Sequence, residues 1–243
     1  MVIKADGKVG IGTTSPSEKL EVVGDAKING LTVGKGAGND NTVFGFDSLA
    51  ANLNGQHNVA VGYKSLKANI SGIRNTAVGY ESLTANTESY NTAFGSHTLK
   101  SNTNGKNNTA IGYGALYLNN GSENTAVGHS SLFYNPSGIG NTNVGYHTSK
   151  SSTSGNYNTV IGWKAGDLTN AFNNTICIGK EANVTGDNMC RIGNDDIKVG
   201  IGTSTPTSNL HINGASSTAA SLTISSIGNG GWTGHQPATI FMG

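Results

Sequence analysis

The chain has 243 residues, of which 36 are Gly and 31 are Asn, and 15 basic against 14 acidic side chains leave a formal net charge of +1. This composition disfavours helices, because Gly costs about 1 kcal/mol in a helix interior and Asn prefers caps and turns. The near-neutral charge argues against nucleic-acid binding. The sequence contains no run of 18 apolar residues, so we do not expect membrane insertion. A turn-rich β protein fits best.

The first predicted segment is an N-terminal β flank, residues 1–40. Its sequence KVGIGTTSPSEKL at 8–20 predicts a strand, a Pro-bearing turn and a second strand. A similar sequence, KVGIGTSTPTSNL, recurs at 198–210. Because the terminal repeats of a solenoid differ from the inner ones, we expect both copies to flank a repeat array.

The second predicted segment, residues 41–190, repeats every 16 or 17 residues. Each unit carries Asn, Thr, two apolar residues and Gly, as in NTAVGY at 75–80, and Leu follows four residues after the Gly in six units. Such a unit, with two short strands and two turns, is too small to bury a core alone, so the units must stack. The sequence therefore predicts nine stacked coils. The repeating glycines are Gly45, Gly62, Gly79, Gly95, Gly112, Gly128, Gly145, Gly162 and Gly179.

Alternation along each strand predicts two faces. We expect the apolar residue before each Gly to form an interior ladder, and the smaller residue before it, mostly Ala, to face the opposite side. A row of small residues favours close approach by another surface, and we infer that this surface belongs to a partner chain. The predicted interior ladder is Phe44, Val61, Val78, Phe94, Ile111, Val127, Val144, Ile161 and Ile178.

The third predicted segment, residues 191–243, is a C-terminal β flank with the second VGIGTxxP motif. The chain stops at 239–243 in an apolar, strand-like stretch, which we interpret as an interrupted domain. The predicted fold class is all-β, a repetitive parallel β-roll or β-solenoid.

The NTAVGY-x-SL-x-AN repeat resembles that of bacteriophage and large-virus tail-fibre proteins, and is related to the head repeats of trimeric autotransporter adhesins. The VGIGTxxPxxxL motif is similar to one that often precedes a self-cleaving intramolecular chaperone domain in tail fibres. The resemblance implies a homotrimeric fibre of parallel chains with interleaved β flanks in the virion. Its expected partners are other tail proteins and a host cell-surface receptor, which could be a glycan. The chaperone's protease activity is not carried over.

Two alternatives stay open: the head of a bacterial trimeric adhesin on the cell surface, and a glycan-cleaving tailspike. The first seven residues contain no apolar signal segment, which favours the virion over the bacterial surface. Asp195 and Asp196 are the only adjacent carboxylates. Neighbours along a strand face opposite sides, so we expect a polar turn and no enzyme.

An aromatic residue follows the Gly in most units. Such a row could contact glycans by stacking or could simply pack along the coils. The candidate glycan-contact residues are Tyr63, Tyr80, Tyr113, Tyr146 and Trp163. We predict no catalytic residue, cofactor or metal site: there is no His-x-His pair, and His129 occupies the aromatic position of its unit. Cys177 occupies the Ala position, where a buried thiol is expected.

Overall fold

In the computed structural model the described residues form an all-β chain without a helix, whose parallel strands stack as a β-solenoid of about nine turns. Contacts divide the chain into two compact units, residues 1–197 and 198–243. The predicted apolar end at 239–243 lies outside the described residues. The structure describes residues 1–24, 26–28, 31–34, 40–151, 154–167 and 171–213.

The strands before the array are β1 (Val2–Ile3), β2 (Val9–Ile11), β3 (Leu20–Val22), β4 (Ala26–Ile28) and β5 (Leu31–Gly34). The array contains β6 (Thr42–Phe46), β7 (Val59–Val61), β8 (Thr76–Val78), β9 (Thr92–Phe94), β10 (Thr109–Ile111), β11 (Leu118–Asn119), β12 (Thr125–Val127), β13 (Tyr134–Asn135), β14 (Thr142–Val144), β15 (Thr159–Ile161), β16 (Ile176–Ile178) and β17 (Cys190–Ile192). The second unit contains β18 (Val199–Ile201) and β19 (Leu210–Ile212).

One long sheet runs along the first unit. Its order is β17-β16-β15-β14-β12-β10-β9-β8-β7-β6-β5-β4. From β6 to β17 neighbouring strands are parallel and pair equivalent repeat positions, as Ala93 does with Ala110. The strands β5 and β4 continue the sheet with antiparallel pairing. This register lets every repeat position form its own column.

Each unit contributes one strand to the long sheet. Among the described residues of the array, the predicted second strand is present as β11 and β13, which pair with each other. Elsewhere in the described coils this segment is a tight turn. Its backbone still bonds to the next coil: Leu83 N–H donates to the Thr98 carbonyl at 3.0 Å, and Leu99 N–H to the Ala115 carbonyl at 3.0 Å. The backbone ladder therefore persists without regular strand geometry.

The prediction that the apolar residue before each Gly points into the interior is wrong. Ala77, Ala93 and Ala110 are fully buried, whereas six of the nine ladder residues are 37–56% exposed and the other three are half-buried. The Ala row packs against the Leu row of the same chain in one core cluster. A coil of 16 or 17 residues leaves a narrow interior that holds one Leu and one small side chain. The surface that approaches the Ala row is therefore the chain's own second side, and not a partner.

The core leucines occupy an unusual backbone conformation. Six leucines have φ between 48° and 51° and are at most 3% exposed. The left-handed region costs an L-residue about 1–2 kcal/mol, whereas full burial of Leu contributes about 1.5–3 kcal/mol. Burial in the stack offsets the strain. The six are Leu49, Leu66, Leu83, Leu99, Leu116 and Leu132.

The repeating Gly forms a close-packed backbone column. Gly112 has φ +119°, and a Cβ there would lie 2.6 Å from the carbonyl oxygen of Gly128 in the next coil. No L side chain fits such an approach, so the period of Gly in the sequence follows from backbone-to-backbone contact.

Two columns of buried Asn connect the coils. In the leading column, Asn108 N–H donates to Asn91 Oδ1 at 3.1 Å, and Asn108 Nδ2 donates to the Gly121 carbonyl at 3.0 Å. In the second column, Asn119 Nδ2 donates to Asn102 Oδ1 at 3.1 Å. These bonds satisfy turn carbonyls that the interior would otherwise leave unpaired.

The two KVGIGT motifs form the same local structure. In each the two strands are parallel, with Val9 opposite Leu20 in β2–β3 and Val199 opposite Leu210 in β18–β19. The strand β1 adds to the first pair in antiparallel orientation. The predicted strand, Pro-bearing turn and strand are therefore present in both copies.

Candidate functional site

A column of eight rings runs along the array beside the Gly column. Neighbouring ring centroids lie between 5.0 and 6.3 Å apart. This spacing follows from the stacking of parallel strands about 4.8 Å apart. In chain order the column is Phe46, Tyr63, Tyr80, His97, Tyr113, His129, Tyr146 and Trp163.

All five candidate glycan-contact residues stand in this column. Tyr80, Tyr113, Tyr146 and Trp163 are 42–51% exposed, and Tyr63 is half-buried. Several rings are parallel to their neighbours, such as Tyr63 and Tyr80 with planes 12° apart. Stacked rings cover part of each other's faces, so a ligand would meet a continuous ridge and not separate open rings.

Sequence reasoning missed His97 as a member of the column. Its unit has Ser96 in the aromatic position, and His97 fills the gap with its ring 5.2 Å from Tyr80 and 5.7 Å from Tyr113. Ser96 Oγ lies 3.1 Å from His97 Nδ1. The sequence does indicate this substitution: Ser96 occupies the aromatic position of its unit, and His97 follows it directly.

Charged side chains accompany the rings. Lys64 lies over Tyr63, with Nζ 4.8 Å from the ring centroid, and Lys164 lies 4.5 Å over Trp163. Glu81 Oε2 accepts from Lys100 Nζ at 2.7 Å, and this hydrogen bond is the main cause that lowers the pKa of the Glu81 carboxyl. The column therefore carries cations over ring faces, an arrangement that stabilises both partners.

The outward side of the long sheet is the second notable surface. It carries the apolar residues that precede each Gly, and Phe94 and Phe44 are its most exposed members within the predicted ladder, at 56% and 49%. Thr residues two positions earlier form a parallel row on the same face, because residues i and i+2 of a strand point the same way. We call this surface, from Phe44 to Ile178, the outer ladder.

The described residues contain no group of three or more His, Cys, Asp or Glu side chains placed to hold a metal ion. Asp195 Oδ1 accepts from Arg191 at 2.7 Å, and Asp196 N–H donates to Asn194 Oδ1 at 3.2 Å, so the adjacent carboxylates occupy a polar turn. Cys177 is buried in the Ala row as expected, and desolvation raises the pKa of its thiol.

The fold and these surfaces define a β-solenoid repeat protein. No protein family, curated protein or solved structure matches the chain. None of the segments that the structure describes is a helix long and apolar enough to cross a membrane.

Proposed function

We propose that this chain is a structural shaft and receptor-binding segment of a viral or bacteriophage tail fibre that attaches the virion to its host cell. Three parallel copies form the fibre. The observation that carries the proposal is the outer ladder: a continuous row of Val, Ile and Phe on the outward side of a parallel sheet.

All-parallel sheets occur mostly where both of their faces are covered. In this chain one face is covered by the Leu row, and the other carries the outer ladder uncovered over nine coils. Contiguous exposed apolar surface of this kind marks an interaction site. Identical copies are the simplest occupant, because a ladder with the same repeat matches itself in register.

The interior supports a mechanical role. The columns of Gly, Asn and Leu repeat the same contacts from coil to coil over most of the described array. Several equivalent chains in one shaft would present several receptor sites at once, which raises the avidity of attachment without new contacts.

Gold-labelled antibodies against this chain test the biological setting. We expect them to decorate tail fibres on virions of the source strain. Decoration of the bacterial surface instead would contradict the fibre proposal and support the alternative of an adhesin head.

The ring column is our proposed receptor-contact surface, because half-exposed Tyr and Trp rings offer a glycan apolar ring surface together with the Tyr hydroxyl and the Trp N–H. Binding of the chain to host polysaccharide should weaken in Tyr113→Ala and in Tyr146→Ala. Tyr157→Ala is the matched control, because Tyr157 is 61% exposed and outside the column. Equal binding by all three variants would contradict a receptor role for the rings.

A further inference from the structure

Two histidine rings on adjacent coils form a pair that the core and the strand ladder do not use. His129 follows Gly128 directly, and His147 lies two residues after Gly145, with φ +54°. Their ring centroids are 5.4 Å apart, and their planes differ by 40°. Among the described residues neither imidazole has a hydrogen bond or an ion pair, so their ring nitrogens are uncommitted.

This separation matches the geometry of two imidazoles on one metal ion. A metal–nitrogen bond of about 2.1 Å places the ion about 3.2 Å from the ring centroid, so a tetrahedral angle separates two bound rings by about 5.3 Å between centroids. We propose that His129 and His147 together bind a divalent transition-metal ion of the nickel, copper or zinc type, with water completing its coordination.

The fold holds both rings in place before an ion arrives. The ring of His147 stacks on Tyr146 with centroids 3.9 Å apart, and the ring of His129 stacks on Tyr113 at 5.0 Å. Both residues lie in the turns that follow β12 and β14, and His147 N–H donates to the His129 carbonyl at 3.0 Å. Because this bond and the ring contacts hold the two turns together, little side-chain freedom remains to be lost on binding. Imidazole nitrogen suits Zn, Cu and Ni, whereas Ca²⁺ and Mg²⁺ prefer oxygen ligands.

Only the neutral imidazole binds metal, so protonation competes with the ion. Burial is the main cause that lowers the pKa of His147, and Lys150 and then His129 add to the effect, whereas Asp167 opposes it. Lys150 and Lys164 also repel a dication, so we expect weaker binding than in a site with three or four protein ligands.

The test is calorimetric titration of the full, tag-free chain with Ni²⁺ at neutral pH. Loss of a group that only orients a metal ligand costs about 10–100-fold in affinity, so loss of a ligand in His129→Asn or His147→Asn should weaken binding by at least about tenfold. The double variant should bind Ni²⁺ about as weakly as either single variant, because the one imidazole that a single variant retains cannot chelate the ion. His57→Asn is the matched control: His57 is an exposed histidine whose one ion-pair contact lies 3.9 Å away on Asp40.

Proton NMR of the unaltered chain gives a readout that does not depend on variants. Substoichiometric Ni²⁺ should broaden the carbon-bound ring protons of His129 and His147 before those of His57 and His97. Equal broadening of all histidines would overturn the proposal, and so would loss of binding in His57→Asn as large as in His147→Asn. Either result would mean that Ni²⁺ binds single imidazoles and not the His129–His147 pair.

Discussion

Asn143 Nδ2 donates a 2.7 Å hydrogen bond to Ser149 Oγ inside the solenoid, where the six preceding coils place Ala or Val against Leu. Asn143 is fully buried in the Ala row, and Ser149 is 5% exposed in the Leu row. The two departures from the repeat pattern therefore occur in the same coil and partner each other. A buried polar group without such a partner would cost stability.

The next coil keeps its interior filled by changing the sizes of both residues. Val160 occupies its Ala position and Gly166 its Leu position, and a Cβ on Gly166 would lie 3.0 Å from Val160 Cγ1. A larger residue in one row is thus matched by a smaller one in the other. Close packing of the interior makes the two rows interdependent.

The Asn143–Ser149 pair predicts strong coupling in a double-mutant cycle. Asn143→Ala or Ser149→Leu alone should each cost about 1–3 kcal/mol of unfolding free energy, because each leaves the other's polar group buried without its partner. The double variant restores the common pair and should be at least as stable as the original chain. Thermal unfolding of the four proteins measures this, and additive effects would contradict the pairing.

The Asn columns predict a large difference between two asparagines four residues apart. Asn108→Ala removes the donor to the Gly121 carbonyl and the acceptor for Asn124 N–H, and should cost about 1–3 kcal/mol of unfolding free energy. Asn104→Ala is the control, because the Asn104 side chain is exposed. Denaturant unfolding compares the two variants, and equal midpoints would contradict the structural role of the column.

The Gly column predicts that a single methyl group disrupts stacking. Gly112→Ala should lower the unfolding free energy by at least about 2 kcal/mol, since it combines a left-handed φ with a backbone clash. Gly186→Ala is the control, because its nearest contact would be the flexible end of Met189 at 3.2 Å. Melting temperatures of the two variants provide the comparison, and a Gly112→Ala melt equal to that of the original chain would be inconsistent with the column.

Burial predicts an unreactive thiol at Cys177. Desolvation raises the pKa of its thiol, so at pH 7–8 it holds less of the nucleophilic thiolate than an ordinary Cys. In a Cys190→Ser variant we expect no alkylation of the native chain and complete alkylation after denaturation. Mass spectrometry counts the adducts, and rapid labelling of the native variant would show that the coil is open at Cys177.

The period, the coil length and the positions of the repeating Asn and Gly could be read from the sequence because each reflects a contact that recurs from coil to coil. The direction of the strand faces could not. Alternation in Thr109–Ile111 separates two faces, but Ala110 and Ile111 are both apolar, and only the width of the closed coil decides that Ala points inward. The larger of two apolar residues usually points into the core, whereas the narrow interior of this coil accommodates only the smaller one beside Leu.

The core leucines and the ring column show a second limit. Leu116 at φ +50° contradicts its intrinsic backbone preference, so local propensity gives no indication of the turn it occupies. His97 enters the ring column from a different repeat position, which a strict period search does not consider. The candidate aromatic residues themselves follow the period, and the structure places all five in one column.

The most direct test of the account is the mass of the native chain measured by light scattering across a dilution series. We expect three times the 24.8 kDa of one chain, and dissociation in the Phe94→Asp/Ile111→Asp variant, which puts charge on the outer ladder of adjacent coils. Leu53→Asp/Ile70→Asp, exposed apolar residues of adjacent coils outside the ladder, should keep the trimer mass. A single-chain mass for the unaltered protein at all concentrations, or a trimer that both double variants leave intact, would contradict assembly through the outer ladder.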